Sequence, residues 1–291
     1  MSFEIGVLFA IGALFFWGFG DFLIQKSTRA IGDWEALFCL SIFGTVILTP
    51  FAYNDLAFLA RISDWTFFIL IVLSITFFIM SLMDYEALKK GKLSIVEPIG
   101  ALEIPITALL AFFIINESIT IVNIILICAL LVGLMLISLK SHHFSRKAWL
   151  ERGVLLALAS AFFMGLTNFL VGFASRITNP LLTVWFFNTF VALISVFYLL
   201  SNNRLGKFVH DFAKNKKVMI SVGVLDNLAW VSFAFATGFI PIVIALALSE
   251  SYIALAALLG IFLNRERLLR HQKIGLVISI AAAVILAISI R

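Results

Sequence analysis

Charged residues are scarce in this sequence of 291 residues: Asp, Glu, Lys and Arg together make up 13%, whereas hydrophobic residues make up 63%. Soluble domains typically contain about 25% charged and about 45–50% apolar residues. A soluble core cannot bury this much apolar side chain, so the composition excludes a soluble globular protein. The bilayer is the solvent that fits this composition, and we predict an integral membrane protein.

Cysteine and histidine are scarce as well, with two and four residues. Cys39 and Cys128 lie inside apolar runs, which is typical of small hydrophobic side chains and not of a disulfide framework. The histidines all fall in polar connections; they are His142, His143, His210 and His271. We therefore expect no intramembrane metal site and no histidine-dependent catalytic site. The chain also lacks the G-x-S-x-G, H-E-x-x-H and G-x-x-x-x-G-K motifs, so we expect neither an enzyme nor a nucleotide or other cofactor.

Long apolar runs fill most of the chain, each close to the roughly 20 residues that a membrane-spanning helix needs. The predicted spans are residues 4–24, 34–52, 66–88, 93–115, 120–138, 150–173, 181–200, 217–237, 241–263 and 273–290. The first run is too long for a signal peptide and has no basic residues before it, so we expect it to stay in the mature protein. The predicted fold class is an all-α integral membrane protein with ten transmembrane helices.

The two halves of the sequence resemble each other. A shift of 147 positions places Gly18 on Gly165, Asp21 on Asn168 and Glu103 on Glu250. We predict a first five-helix repeat at residues 1–141 and a second at 142–291, although chance matches between apolar strings are the alternative. Because each repeat has an odd number of helices, the second is inverted in the membrane, an arrangement common in secondary transporters.

Two motifs connect this architecture with a known family. The first predicted helix contains "FFWGFGDF" and the sixth contains "FFMGLTNF", and an acid follows the fourth and ninth helices. Over essentially its full length the chain resembles the EamA-type transporters of the drug/metabolite transporter superfamily. The resemblance implies a two-fold pseudosymmetric carrier with a central cavity lined mainly by helices 1, 3, 4, 6, 8 and 9, but its motifs identify no substrate.

Acidic residues within or at the ends of the spans are the first candidates for a site, because a charge at the bilayer centre costs about 2.5–3.5 kcal/mol. The candidates among them are Asp21, Asp84, Glu86, Glu97, Glu103, Asp226 and Glu250. Glu103 and Glu250 lie about 15 Å into their spans at about 1.5 Å per residue, and Asp226 lies near the middle of its span. The other four lie near span ends, where a water-facing or capping role is the alternative. No lysine or arginine lies in the interior of a span, which argues against a strongly anionic substrate.

Aromatic residues and prolines complete the candidate site. Trp17, Tyr85, Trp230 and Tyr252 have faces that suit an organic ammonium by cation–π attraction, the alternative being ordinary packing or interfacial aromatics. Asn168 and Asn227 are further polar candidates for binding substrate or protons. Pro98 and Pro105 each remove a backbone hydrogen bond, which is tolerated where a helix lines a cavity.

These features favour a secondary transporter for a small amine-bearing, zwitterionic or organic-cation metabolite, working by alternating access with proton coupling through Glu103 and Glu250. A poorly hydrated carboxyl group takes up a proton readily because its charged form has lost water. The alternatives are a flippase for lipids or lipid-linked sugars and an uncoupled facilitator. The expected partners are a small-molecule substrate, membrane lipid and protons, with no nucleic acid; the sequence does not predict the oligomeric state.

The basic residues are distributed unevenly between the two sides of the membrane. The connections after helices 1, 3, 5, 7 and 9 contain 18 of the 21 Lys and Arg residues, and the other three are Arg61, Arg176 and Arg291. The positive-inside rule makes the first set cytoplasmic. We therefore predict a multi-pass protein of the plasma or inner membrane with both termini outside, although the family resemblance favours cytoplasmic termini.

Overall fold

The computed structural model describes residues 2–59, 61–90, 99–138, 152–255, 257–258 and 268–289. These residues form ten main helices and no strand. The helices are α1 (Ser2–Ile31), α2 (Asp33–Leu59), α3 (Asp64–Lys90), α4 (Glu103–Ile115), α5 (Ile121–Ser138), α6 (Arg152–Ile177), α7 (Pro180–Ser201), α8 (Leu205–Phe239), α9 (Ile242–Glu250) and α10 (Arg270–Ser289). Eight of them are long and apolar enough to cross a membrane, and α4 and α9 are shorter apolar helices. The predicted all-α fold with ten spans is confirmed.

Several connections between helices are short, and the one between α1 and α2 is shorter than residues 25–33, which the predicted spans leave between them. Gly32 alone joins α1 to α2, with a φ of +108° that a residue with a side chain rarely adopts. Asn179 precedes α7, and its side chain accepts a hydrogen bond from the backbone N–H of Leu181 while Pro180 starts the helix. These tight connections keep consecutive helices antiparallel and adjacent.

Residues 205–214, predicted as part of a polar connection, are helical and precede the predicted span 217–237 within α8. Phe208 and Phe212 lie one turn apart and pack on Phe38 and Phe43 of α2. The basic residues of this segment lie on the exposed side. The chain bends at Asn215, whose φ and ψ are not helical. The amphipathic residues 205–214 therefore precede the membrane-spanning part of α8.

The packing of the helices repeats with a shift of five. Helix α1 packs along α8, and α6, five helices later, packs along α3; likewise α4 packs on α6 as α9 packs on α1. Helices α2 and α7 form one symmetric pair and α5 and α10 another, and α4 contacts α9. This pattern is that of two inverted five-helix repeats related by a pseudo-two-fold axis.

The outside of the bundle is apolar over much of its surface. Phe197 is 73% exposed, Val277 68% and Val46 63%. Such side chains face lipid in a membrane protein, whereas the polar residues described below are turned inward. The fold therefore separates a lipid-facing surface from a polar interior.

Candidate functional site

Three of the predicted acids are buried inside the bundle. Glu103 begins α4 and is 6% exposed, Glu250 ends α9 and is 8% exposed, and Asp226 lies within α8 and is 8% exposed. None of the three side chains projects into lipid. Helix α9, which carries Glu250, contacts both α4 and α8, which carry the other two acids.

Glu103 is held against α6. Asn168 Nδ2 donates a hydrogen bond of 3.2 Å to Glu103 Oε2, and Thr107 Oγ1 donates one of 2.9 Å to the carbonyl oxygen of Gly165. A Cβ at Gly165 would lie 2.7 Å from Ile106 and 2.9 Å from the carbonyl oxygen of Glu103. Only glycine permits this close approach, so Gly165 brings the carboxylate of α4 to the amide of α6.

The second repeat places its acid in a similar position. Helix α9 packs on α1, where Ser249 Oγ donates a hydrogen bond of 3.3 Å to the carbonyl oxygen of Ala10. A Cβ at Gly18, the counterpart of Gly165, would lie 3.5 Å from the Cβ of Tyr252. Glu250 therefore lies at the crossing of α9 with α1, as Glu103 lies at the crossing of α4 with α6.

Both acids border an interruption of their helix. Before Glu103, the backbone N–H of Leu102 bonds to the carbonyl of Ile99, and the N–H of Ile104 bonds to that of Ala101. After Glu250, the N–H of Ser251 bonds to the carbonyl of Leu248. These bonds span three residues, as in a 3₁₀ helix, and such short stretches within a longer helix often mark functional hinges.

The proline predicted to loosen α4 lies inside this interruption. Pro105 is the third residue of α4 and has no N–H to donate, so the carbonyl of Ala101 accepts from Ile104 instead. No proline lies beside Glu250, and the interruption of α9 therefore has no signal in the sequence. Glu97 and Pro98 lie outside the described residues, and so does the side chain of Asp21, whose backbone is part of α1.

Two of the predicted aromatic residues form the centre of a larger cluster. Trp17 of α1 meets Trp230 of α8 edge to face, with ring centroids 5.2 Å apart. Phe77 of α3 and Phe187 of α7 contact Trp230 at 5.4 and 5.9 Å, and Phe233 contacts both tryptophans. Nothing in the sequence distinguishes these three residues among the 31 phenylalanines, so the sequence analysis missed them. We call these five residues the aromatic cluster.

The remaining candidates have different surroundings. Tyr85 is buried on α3 and Tyr252 is half-buried after α9. Asp84 accepts a hydrogen bond of 3.5 Å from Ser160 of α6. Glu86 is half-buried near the end of α3.

Asn227 joins three helices by its amide. Its Nδ2 lies 3.0 Å from the carbonyl oxygen of Leu40 and 2.8 Å from that of Gly223, and its Oδ1 accepts from Asn188 Nδ2 at 2.9 Å. Gly44 of α2 lies against this pair, and a Cβ there would overlap it. The amide thus connects α8 to α2 and α7, an arrangement that the sequence did not indicate.

An ion pair connects helix ends at one end of the bundle. Arg176 Nη2, at the end of α6, lies 2.8 Å from Glu117 Oε1, just after α4. Arg176 also donates to the carbonyls of Thr237 and Ile240, and Glu117 Oε2 accepts from the N–H of Ile242, the first residue of α9. Glu117 therefore both forms a salt bridge with α6 and accepts from the first backbone N–H of α9. We call this group the α8–α9 clamp.

Comparisons with known proteins agree with this architecture. The EamA-like transporter family matches residues 4–139 and again residues 151–288. One solved crystal structure superposes with a TM-score of 0.73 over 98% of this chain and 98% of the other, at 13% sequence identity. At that identity the likeness shows the fold alone. No curated protein matches the sequence.

Proposed function

The chain belongs to the EamA-like transporter family, and on that premise we propose that it is a proton-coupled secondary transporter of a small amine-bearing, zwitterionic or organic-cation metabolite. The family establishes a membrane transporter, and the substrate class and the coupling are our inference. The observation that carries the inference is the burial of Glu103 and Glu250 at equivalent helix crossings of the two repeats.

Burial of the two carboxyl groups supports coupling to protons. A carboxylate that has lost water is stabilised by a proton or by a cation, and the two compete for it. A single site can then release its proton when the substrate arrives and rebind one after the substrate leaves. Exchange of this kind couples the two fluxes without a covalent step.

The aromatic cluster supports the choice of substrate class. Indole faces attract ammonium groups, and the attraction is strongest where the site excludes water. Trp17 and Trp230 are 7% and 4% exposed, and Trp17 lies on α1, the helix on which Glu250 packs. A substrate with a cationic nitrogen and an apolar body would use both the carboxylate and the rings.

The α8–α9 clamp supports alternating access. It joins the ends of α4 and α6 to the connection between the two helices that carry Trp230 and Glu250. Opening this end of the bundle requires the ion pair to separate or to move with one of its helices. The clamp therefore belongs to one of the two end states of the transport cycle.

Proteoliposomes loaded with a pH-sensitive dye test the proposal. Amines, amino acids, nucleosides and quaternary ammonium compounds are added outside in turn, and the internal pH is followed. We expect at least one cationic or zwitterionic compound to move protons in the wild type. Glu103→Gln should abolish this signal, whereas Asp64→Asn, which changes an exposed carboxylate at the start of α3, should not.

Three results would contradict the proposal. Substrate flux that is the same with and without a pH gradient would indicate a facilitator. Normal coupled transport by Glu103→Gln would remove that residue from the mechanism. Movement of labelled lipid headgroups, with no flux of any soluble compound, would instead indicate a flippase.

A further inference from the structure

We infer that Glu103 and Asn168 form a binding site for a monovalent metal cation, with Na⁺ as the first candidate. The inference rests on the proposed function, because it assigns a coupling ion to a carboxylate that the transport cycle uses. It goes beyond the expectation of no intramembrane metal, which depended only on where the histidines lie.

The first observation is an unsatisfied oxygen. Asn168 is 2% exposed, and its Nδ2 donates to Glu103 Oε2. Its Oδ1 is buried and has no hydrogen-bond partner in the described part of the chain. A buried acceptor without a donor is destabilising because it has lost its hydrogen bonds to water. Because Oδ1 belongs to the amide that touches the carboxylate, a cation bound by both groups would remove this cost.

The second observation is the backbone of α4 beside the pair. The 3₁₀ bonds before Glu103 and the missing N–H of Pro105 leave carbonyl groups outside the regular helical pattern. Interrupted helices in secondary transporters coordinate Na⁺ or protons through such carbonyls. Gly165 keeps the backbone of Glu103 close to α6, so the irregular part of the α4 backbone lies beside the carboxylate and amide pair.

The charge and the atom types select the class of ion. One carboxylate and one neutral amide supply a single negative charge, which suits a monovalent cation. Oxygen ligands suit hard metal ions and not soft ones. Within the described ranges, no three His, Cys, Asp or Glu side chains come together, which argues against a transition metal. A proton on Glu103 would neutralise the site, so protons and Na⁺ should compete.

Equilibrium binding of ²²Na⁺ to the purified protein in detergent tests this site. At pH 8 we expect saturable binding that unlabelled Na⁺ displaces and N-methylglucamine does not, and weaker binding at pH 6. Glu103→Gln and Asn168→Leu should each weaken binding at least about tenfold, the lower end of the loss seen when groups that support a metal are removed. Asp64→Asn is the matched control and should bind as the wild type does.

The wild type alone can overturn the inference, whether or not the variants fold: no saturable Na⁺ binding at pH 8 excludes the site. Unchanged binding by a folded Asn168→Leu, judged by its gel-filtration profile, places any bound ion elsewhere and excludes it too. Proton-coupled flux without Na⁺ binding would leave the proposed function standing. Na⁺ binding without flux of any compound would support the ion site and contradict the proposed transport function.

Discussion

At the scale of single residues, Gly165 sets the distance between α4 and α6. A Cβ at this position would lie within 2.7 Å of Ile106 and 2.9 Å of the carbonyl oxygen of Glu103. Neither atom is the end of a flexible side chain, so the helices themselves would have to separate. The contact between Glu103 and Asn168 depends on this approach.

We therefore expect Gly165→Ala to lower stability by about 1–3 kcal/mol, the usual cost of overpacking, and to weaken proton-coupled flux. Thermal unfolding in detergent measures the first effect. Gly206→Ala is the control, because nothing lies within 4 Å of a Cβ there; helix propensity favours that change by up to about 1 kcal/mol. Equal unfolding temperatures for the two variants would contradict the packing argument.

Asn227 provides a second test at this scale. Its amide makes hydrogen bonds to α2, α7 and its own helix, so Asn227→Ala should destabilise the protein by about 1–3 kcal/mol through buried groups left unsatisfied. The control is Asn202→Ala, on an exposed side chain whose amide donates to the carbonyl oxygen of Tyr198, with an expected change within about 0.5 kcal/mol. A stable Asn227→Ala protein that no longer binds substrate would favour the predicted binding role instead.

At the scale of helices, the α8–α9 clamp concentrates four polar contacts at one end of the bundle. Arg176→Gln should detach the α8–α9 connection from α4 and α6, because it leaves Glu117 and two backbone carbonyls without their charged partner. We expect a clear fall in the unfolding temperature together with a changed transport rate.

The matched control is Arg61→Gln, an exposed arginine on the same side of the bundle, which should leave both quantities unchanged. If Arg176→Gln unfolds and transports like the wild type, the clamp has no role in holding α9. A lower unfolding temperature with normal transport would restrict it to stability.

The helices also show where sequence reasoning succeeds and where it fails. Long apolar runs define eight spans almost by themselves, because bilayer thickness fixes their length. The start of α8 was missed because Phe208 and Phe212 are embedded among lysines, and only packing on α2 reveals their helical spacing. The interruption after Glu250 could not be predicted, because no helix-breaking residue lies beside it in the sequence.

At the scale of the whole molecule, the inverted repeat was predictable from matched residues such as Gly18 with Gly165. The candidate acids were predictable too, because a carboxylate inside an apolar span is costly and therefore indicates a functional role. The partners of these residues were not: the contacts of Glu103 with Asn168 and of Trp230 with Phe77 and Phe187 join helices distant in sequence. Their geometry follows from helix crossings that no local pattern encodes.

The orientation in the membrane remains a prediction for the whole molecule. With Cys128 first changed to Ala, a membrane-impermeant maleimide should label Arg61→Cys in intact cells but should label Lys207→Cys only after lysis, since Cys39 is buried. The reason is that Lys207 lies on the side that carries most of the basic residues. The reverse labelling pattern would place both termini in the cytoplasm.

The aromatic cluster has a further consequence for the molecule as a machine. Under the repeat shift, Trp17 corresponds to Met164 and Trp230 to Met83, so both indole rings lie at the contact between α1 and α8 and methionines replace them at the equivalent contact between α6 and α3. The outward-open and inward-open forms therefore cannot be symmetry-equivalent around the substrate. We therefore expect asymmetric transport, in which the substrate concentration that gives half-maximal flux differs between the two sides of the membrane.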